Sequence, residues 1–349
     1  MKTADIIRLR LHNQQLAAAR FTTPKQIVSW LGVMQAQEYA PSKWAIDIRL
    51  PDSTLQTIDE AIDKGEILRT HLLRPTWHYV TPEDIHWMLA LSEPQQKAAM
   101  KFRQKFLELT PAILKKSDTL IEKALSKGEH LTRKELITLL QENKINTKDE
   151  RPGHILFHAE VNGIICSGKQ RGKEITYALL SERVNGGKAF PRDQALAMLA
   201  HRYFTGHGPA TVQDFIWWSG LSITDGKSAV ESVKKDFESF TIGEKIYLLS
   251  PGLQVPVSKR PSAALLPPFD EYLIAYADRS SVIIDESKKS NLFTNGLFRP
   301  VILLNGKAIG NWKKQKSAIG LKYFKKPAKT TAALMKKAIK AYEKFAGEV

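Results

Sequence analysis

The strongest constraint on how this chain folds is a local pattern that occurs three times. Thr23-Pro-Lys-Gln26-Ile27-Val28, Thr132-Arg-Lys-Glu135-Leu136-Ile137 and Thr211-Val-Gln-Asp214-Phe215-Ile216 each open with Thr, carry an amide or acid three positions on, and continue with an apolar pair. A Thr hydroxyl accepts from the free N–H groups of a helix's first turn, and Gln or Glu at the third helical position reaches back to the cap. Asp214 is the weakest of the three, because its side chain is short for that return bond. Downstream of each start lies a further helical stretch and then two apolar runs joined by a turn. These runs are ILRTHLLRPTWHYV, IICSGKQRGKEITYALL and FTIGEKIYLLS. Helix, helix, helix, hairpin is the order of a winged helix. Three copies at unequal spacing predict duplicated modules rather than a solenoid. We therefore expect an α+β chain of three tandem winged-helix modules, over residues 1–115, 116–188 and 189–258. The texture changes beyond Pro251, and Asn305-Gly306 is a strong two-residue hairpin signal. Residues 259–349 are read as a small β-rich, barrel-like domain closed by the helix KTTAALMKKAIKAYEKF.

Charge narrows the partners. The 349 residues hold 52 Lys+Arg against 36 Asp+Glu, a formal net charge of +16, which attracts polyanions. No run approaches the length of a membrane span, and the first residues, MKTADIIRLRLHNQQ, turn polar too soon for a signal peptide. A cytoplasmic, nucleoid-associated protein with double-stranded DNA as partner is the expectation, with no membrane role. The single Cys166 excludes an internal disulfide framework and every multi-cysteine zinc pattern. No phosphate-binding or dinucleotide Gly loop, GxSxG or HExxH occurs, so neither cofactor nor metal is expected. His154 and His158 sit four apart on a predicted helix, but nothing near them completes a ligand set, and they read as core or capping residues.

Two stretches carry unusual polar chemistry. Gln35-Ala36-Gln37-Glu38 follows the helix stop at Gly32, where a helix-turn-helix begins its third, DNA-facing helix. Two amides there suit the reading of adenine edges, a solvated face, or catalysis. Residues two apart do not share a helical face, so they converge on one ligand only if the backbone departs from a helix. The hairpin holding Arg69, His71, Arg74, Thr76, Trp77 and His78 suits phosphate contact with base stacking, although Trp77 and Tyr79 equally suit a strand's core face. Lys169, Arg171 and Lys173, around Gly168 and Gly172, form a wing tip suited to backbone phosphates.

Four blocks, HNQQLAAARFTTPKQIVSWLGVMQAQ, LLRPTWHYVTPEDIHWMLAL, LPPFDEYLIAYADRS and VILLNGKAIGNW, resemble the winged-helix DNA glycosylases of the AlkZ/YcaQ type. They occur in the same order and span about residues 5 to 325. These bacterial enzymes unhook interstrand crosslinks and remove N7-alkylated purines. The resemblance implies three tandem winged helices with a C-terminal β-barrel, and a catalytic Gln-apolar-Gln or Gln-apolar-Asp signature. Gln35-Ala36-Gln37 matches the Gln form, that of the crosslink-resistance branch. The chain departs from many members at Arg74-Pro75-Thr76, where they carry Arg-Gly-Thr. The family's lesion-probing hairpin would correspond to Asn305-Gly306-Lys307, which adds Lys307 to the DNA-contacting set. The implied activity is that of a monomeric, monofunctional, metal-free glycosylase; the competing readings are a non-catalytic winged-helix regulator and an RNA-binding scaffold.

Overall fold

All three Thr caps form. In the computed structural model, which describes residues 1–17, 19–255, 262–283, 292–294, 297–315 and 318–347, Thr23, Thr132 and Thr211 each accept from the backbone three residues on, and each receives the return bond. Asp214 is long enough after all: its carboxylate accepts from Thr211 N at 3.0 Å.

The elements that matter below follow in chain order. They begin with α1 (Thr3–Asn13), α2 (Pro24–Leu31), β1 (Met34–Gln35), α3 (Tyr39–Asp47) and α4 (Leu55–Asp63). The hairpin β2/β3 (Leu68–His71, Trp77–Val80) precedes the long α5 (Pro82–Phe106). Next come α6 (Pro111–Leu125), β4 (Leu131–Thr132), α7 (Arg133–Glu142), α8 (Arg151–Val161) and the hairpin β5/β6 (Ile165–Ser167, Thr176–Leu179). A short α9 (Leu180–Arg183), then α10 (Arg192–His207), α11 (Val212–Ser219) and α12 (Ile223–Val233), lead to the hairpin β7/β8 (Glu238–Ile242, Lys245–Leu249). Among the described residues no helix is long and apolar enough to cross a membrane.

The chain folds as two compact units, Met1–Ile58 with Leu196–Val349, and Asp59–Ala195. In the second, α6, α7 and α8 pack Ile121, Leu125, Leu136, Leu140 and Ile155 against Ile165 of the hairpin, all six fully buried. Each such side chain contributes on the order of 1.5–3 kcal/mol by leaving water.

The first unit is built on aromatics. Tyr203 and Phe204 of α10 meet Phe215 and Trp218 of α11, with ring centroids 5.0–5.9 Å apart. Gly206 lets α10 approach α2, since a Cβ there would stand 2.6 Å from the Trp30 carbonyl. Beyond the β7/β8 hairpin the described strands β9 (Ala263–Leu266), β10 (Phe293–Thr294), β11 (Leu297–Phe298), β12 (Val301–Leu304), β13 (Lys307–Lys314) and β14 (Ile319–Tyr323) appear, with α13 (Glu271–Ile274) between the first two. The expected barrel does not close. Among the described residues β14, β13, β12 and β9 form an open antiparallel sheet in that order, and β10 pairs with β11. The reason is local: Pro267 and Pro268 offer no N–H to extend β9, and Asp270 caps a helical turn directly after them. The C-terminal helix (Thr331–Phe345) lays Tyr342 and Phe345 on Trp44 and Trp312. The expected boundary at 258/259 lies outside the described residues.

Candidate active site

Gly32 ends α2 with φ +77, a conformation open to a residue without Cβ. The next five residues are not helical. Met34 and Gln35 are extended, Gln37 sits in a bend, and α3 begins only at Tyr39 with Glu38 as its cap. The expectation that Gln35 starts a third helix is corrected here, and the physical cause is Pro41. A proline ring in a helix collides with the carbonyl four residues back, here that of Gln37, so no helix runs through both. Outside a helix, residues two apart are no longer forced onto different faces, which removes the obstacle that helical spacing raised. Ala36 between them is fully buried, Gln35 is 7% exposed, and Gln37 is half-buried. Burial pushes the Glu38 carboxyl above its ordinary value.

The backbone of this segment hangs on a buried acid. Gln35 N donates to Glu271 Oε1 at 2.8 Å, Trp218 Nε1 donates to Oε2 at 3.1 Å, and His207 Nε2 lies 3.5 Å from Oε2. Glu271 is 1% exposed. It is held in place by its neighbour, since Asp270 caps α13 through Tyr272 N and forms a fork with Arg49 at 2.7 and 2.8 Å. All five Arg49 N–H groups are used, the others reaching Gln14 O, Gln14 Oε1 and Ala45 O. Gln14 in turn donates to the Glu271 carbonyl and to the Tyr276 hydroxyl. A buried ion pair with every donor satisfied fixes geometry more than it adds stability.

Glu271, Trp218 and His207 were not singled out from sequence. The available signal was two adjacent acids in the apolar stretch LPPFDEYLIAY, a composition that needs buried partners. Around the outer face of α2 lies a cleft of about 400 Å3 lined by Phe21, Lys25, Trp30, His201 and Arg202, with no carboxylate among its lining residues. Arg20 stands 4.7 Å from the Trp30 ring centre.

The residues expected to touch DNA are placed as follows. In the Asp59–Ala195 unit, Arg69 is buried with its guanidinium 4.5 Å over Trp77. His71 packs at a tilt on Trp77, ring centroids 4.2 Å apart, and shares Glu160 with it, through Nδ1 at 2.6 Å and the indole N–H at 3.1 Å. His78 is fully buried on the Thr76 carbonyl, and Arg74 lies 3.5 Å from it. At the tip between β5 and β6, Lys169 and Lys173 are exposed, while Arg171 donates to Glu135 at 2.7 Å. The Glu135 carboxyl is held at about 2 by Thr132 and Arg171. His158 contacts Asp118 of α6 at 3.2 Å. In the other unit Lys307 is exposed, but the turn before it is packed: a Cβ on Gly306 would stand 2.4 Å from Ile7, and Tyr272 donates to the Gly306 carbonyl. Gln35 is therefore grouped with Glu271, and Gln37 follows two positions on. Arg69, His71 and Trp77 are grouped with Glu160.

The family model described as DNA glycosylase AlkZ-like matches residues 28–345. The interstrand DNA cross-link repair glycosylase of Streptomyces sahachiroi is 24% identical over 329 residues, covering 88% of this chain and 87% of that protein. The solved structure of the Streptomyces sahachiroi DNA glycosylase AlkZ shares the fold, with a TM-score of 0.81 at 19% identity over 99% of this chain and 97% of that one. The matched span takes in the Gln35–Gln37 segment together with Trp218 and Glu271, and on that match the chain belongs to the AlkZ-like DNA glycosylase family.

Proposed function

We propose that this protein hydrolyses the N-glycosidic bond of N7-alkylated purines, including crosslinked ones, in duplex DNA, with Gln35 and Gln37 as its catalytic pair. The chemistry suits carboxamides. A purine alkylated at N7 is already cationic, so when its bond to C1′ breaks it departs neutral with the bonding electrons and needs no proton from a strong acid. The sugar is left as an oxocarbenium ion. Water adds to C1′ and releases its proton to solvent, giving the abasic hemiacetal. One amide oxygen can orient that water and another can face the developing positive charge. Such a reaction demands no Lewis acid and no covalent enzyme intermediate, hence a monofunctional hydrolase.

The observation that carries this reading is the non-helical Gln35–Gln37 segment, anchored through the Gln35 backbone N–H on the buried Glu271. The cation-lined cleft beside α2, with Trp30 and Phe21 in it, supports contact with a DNA backbone. Capped helices followed by hairpins support three winged-helix modules, 1–115, 116–188 and 189–258. Lys169 and Lys173 extend from the second of these, and binding as a monomer fits a reader of damage rather than of a palindrome.

The test is excision of 7-methylguanine from a duplex, read as alkali-labile abasic sites. Gln35→Ala and Gln37→Ala should each slow single-turnover excision by about 10–1000-fold, with the Kd for undamaged duplex within twofold of the parent protein. Full excision by both variants refutes the assignment. Binding without any abasic product in the parent protein leaves a DNA-binding regulator.

A further inference from the structure

We propose that Glu271 is a positioning residue for Gln35, acting through the backbone of Gln35 rather than through the substrate. The inference rests on the catalytic reading of Gln35 given above.

A carboxylate that is 1% exposed is costly unless every oxygen is used. Here Oε1 receives the Gln35 N–H at 2.8 Å, and Oε2 receives the Trp218 indole N–H at 3.1 Å with His207 beside it at 3.5 Å. The three groups come from three places in the chain: β1, α11 and the end of α10. The acid is the knot that ties them together. Its own position is not adjustable, because Asp270, the residue before it, is locked to Arg49, and Phe269 before that sits at φ +59. A bulky residue in the left-handed region is strained and persists only where the surroundings impose it. The arrangement holds a tight turn in an unfavourable conformation with Glu271 at its end.

The consequence lies in the number of acceptors. An ionised carboxylate accepts through both oxygens, whereas a carboxamide offers one oxygen and one NH2. Glu271→Gln preserves shape but must present its NH2 to one of the two N–H donors. If the amide turns toward Gln35, two donors face each other and the Gln35 backbone moves. If it turns toward Trp218, the indole is displaced instead, and Gln35 receives a neutral bond weaker than the charge-assisted one. Reacting groups held for catalysis lose about 100-fold when displaced by about 1 Å.

Four measurements on the full-length protein test this. Glu271→Gln should slow single-turnover excision by about 10–100-fold and leave the Kd for undamaged duplex within twofold. Introduced into Gln35→Ala, it should add less than twofold, since the group it positions has gone. The Gln35 amide proton, deshielded by a carboxylate acceptor, should move upfield in the variant's NMR spectrum. Trp218→Phe, which removes one donor and spares the acid, should slow excision by about 3–10-fold at unchanged Kd, and serves if Glu271→Gln does not fold. Excision by Glu271→Gln within threefold of the parent overturns the proposal while Gln35→Ala remains slow. A slowing that multiplies fully with that of Gln35→Ala also overturns it, by making the two residues independent. Full activity of Gln35→Ala itself removes the catalytic reading and this inference with it.

Discussion

Asp47 shows how much a single buried acid weighs in this chain. It closes α3, the helix that starts just after the Gln pair, and so stands at the negative end of the helix dipole. It is 8% exposed, and burial pushes its carboxyl up to about 6, against the opposing Ser53 hydroxyl, which donates to it, and the field of Lys344. An unfolded Asp titrates near 3.9. The folded state therefore holds the proton more tightly than the unfolded state does. Stability falls as pH rises from about 4 to about 6 and stays lower above that. Asp47→Asn removes the penalty. At pH 7.5 the variant should be about 1–2 kcal/mol more stable than the parent protein, and the difference should vanish near pH 4, as thermal unfolding at the two pH values will show. A variant no more stable at pH 7.5 would mean the carboxylate is already compensated. At this same scale the sequence was only half legible. The Gln pair stood out as a motif, but the expectation of a third helix starting there overlooked Pro41, the local signal against a helix through Gln37. Glu271 did not stand out, because its partner Gln35 is 236 positions away and no local pattern links them.

Between residues and fold lie the capped elements, and they separate what local chemistry dictates from what it does not. The caps at Thr23, Thr132 and Thr211, and the hairpins after them, are short-range features and could be read from residues a few positions apart. The closed barrel could not, because closure depends on which distant strands pair, and Pro267, Pro268 and the Asp270 cap divert the chain after β9. The three caps also look alike in sequence but differ in worth. Gln26 completes its box at the exposed end of α2. Asp214 is 1% exposed. Besides Thr211 N it accepts from Ala277 N at 2.9 Å and Asp278 N at 3.2 Å, and it stands 3.5 Å from the buried Arg10. Gln26→Ala should cost no more than about 1 kcal/mol. Asp214→Ala takes the carboxylate from a buried guanidinium and from two part-buried amides, and should cost about 3–5 kcal/mol. Urea unfolding of the two variants decides it; equal losses would mean Asp214 does nothing beyond capping.

For the whole molecule the governing quantity is the net charge of +16, and the distribution of its cations matters more than the total. Some cations are bound in ion pairs: Arg171 to Glu135, Arg103 to Glu150 and Arg49 to Asp270. Replacing these changes folding or local order more than it changes the field. The cleft beside α2 gathers Lys25, His201 and Arg202 on one concave surface whose lining includes no acid, and Arg20 stands at its edge over Trp30. A phosphodiester entering there releases the counterions it carried. High salt opposes that release, so the slope of log Kobs against log salt falls by about 0.9 for each phosphate the protein no longer neutralises. Lys25→Gln and Arg202→Gln should each weaken binding to undamaged duplex by about 3–10-fold at moderate salt and lower that slope by about 0.9, and the double variant by about twice as much. Arg171→Gln, already neutralised by Glu135, should lower the slope by less than half as much. The readout is a salt titration of duplex binding for the four variants. Slopes that do not change for Lys25 and Arg202 would place the DNA backbone on another face of the protein, whatever the excision assay finds.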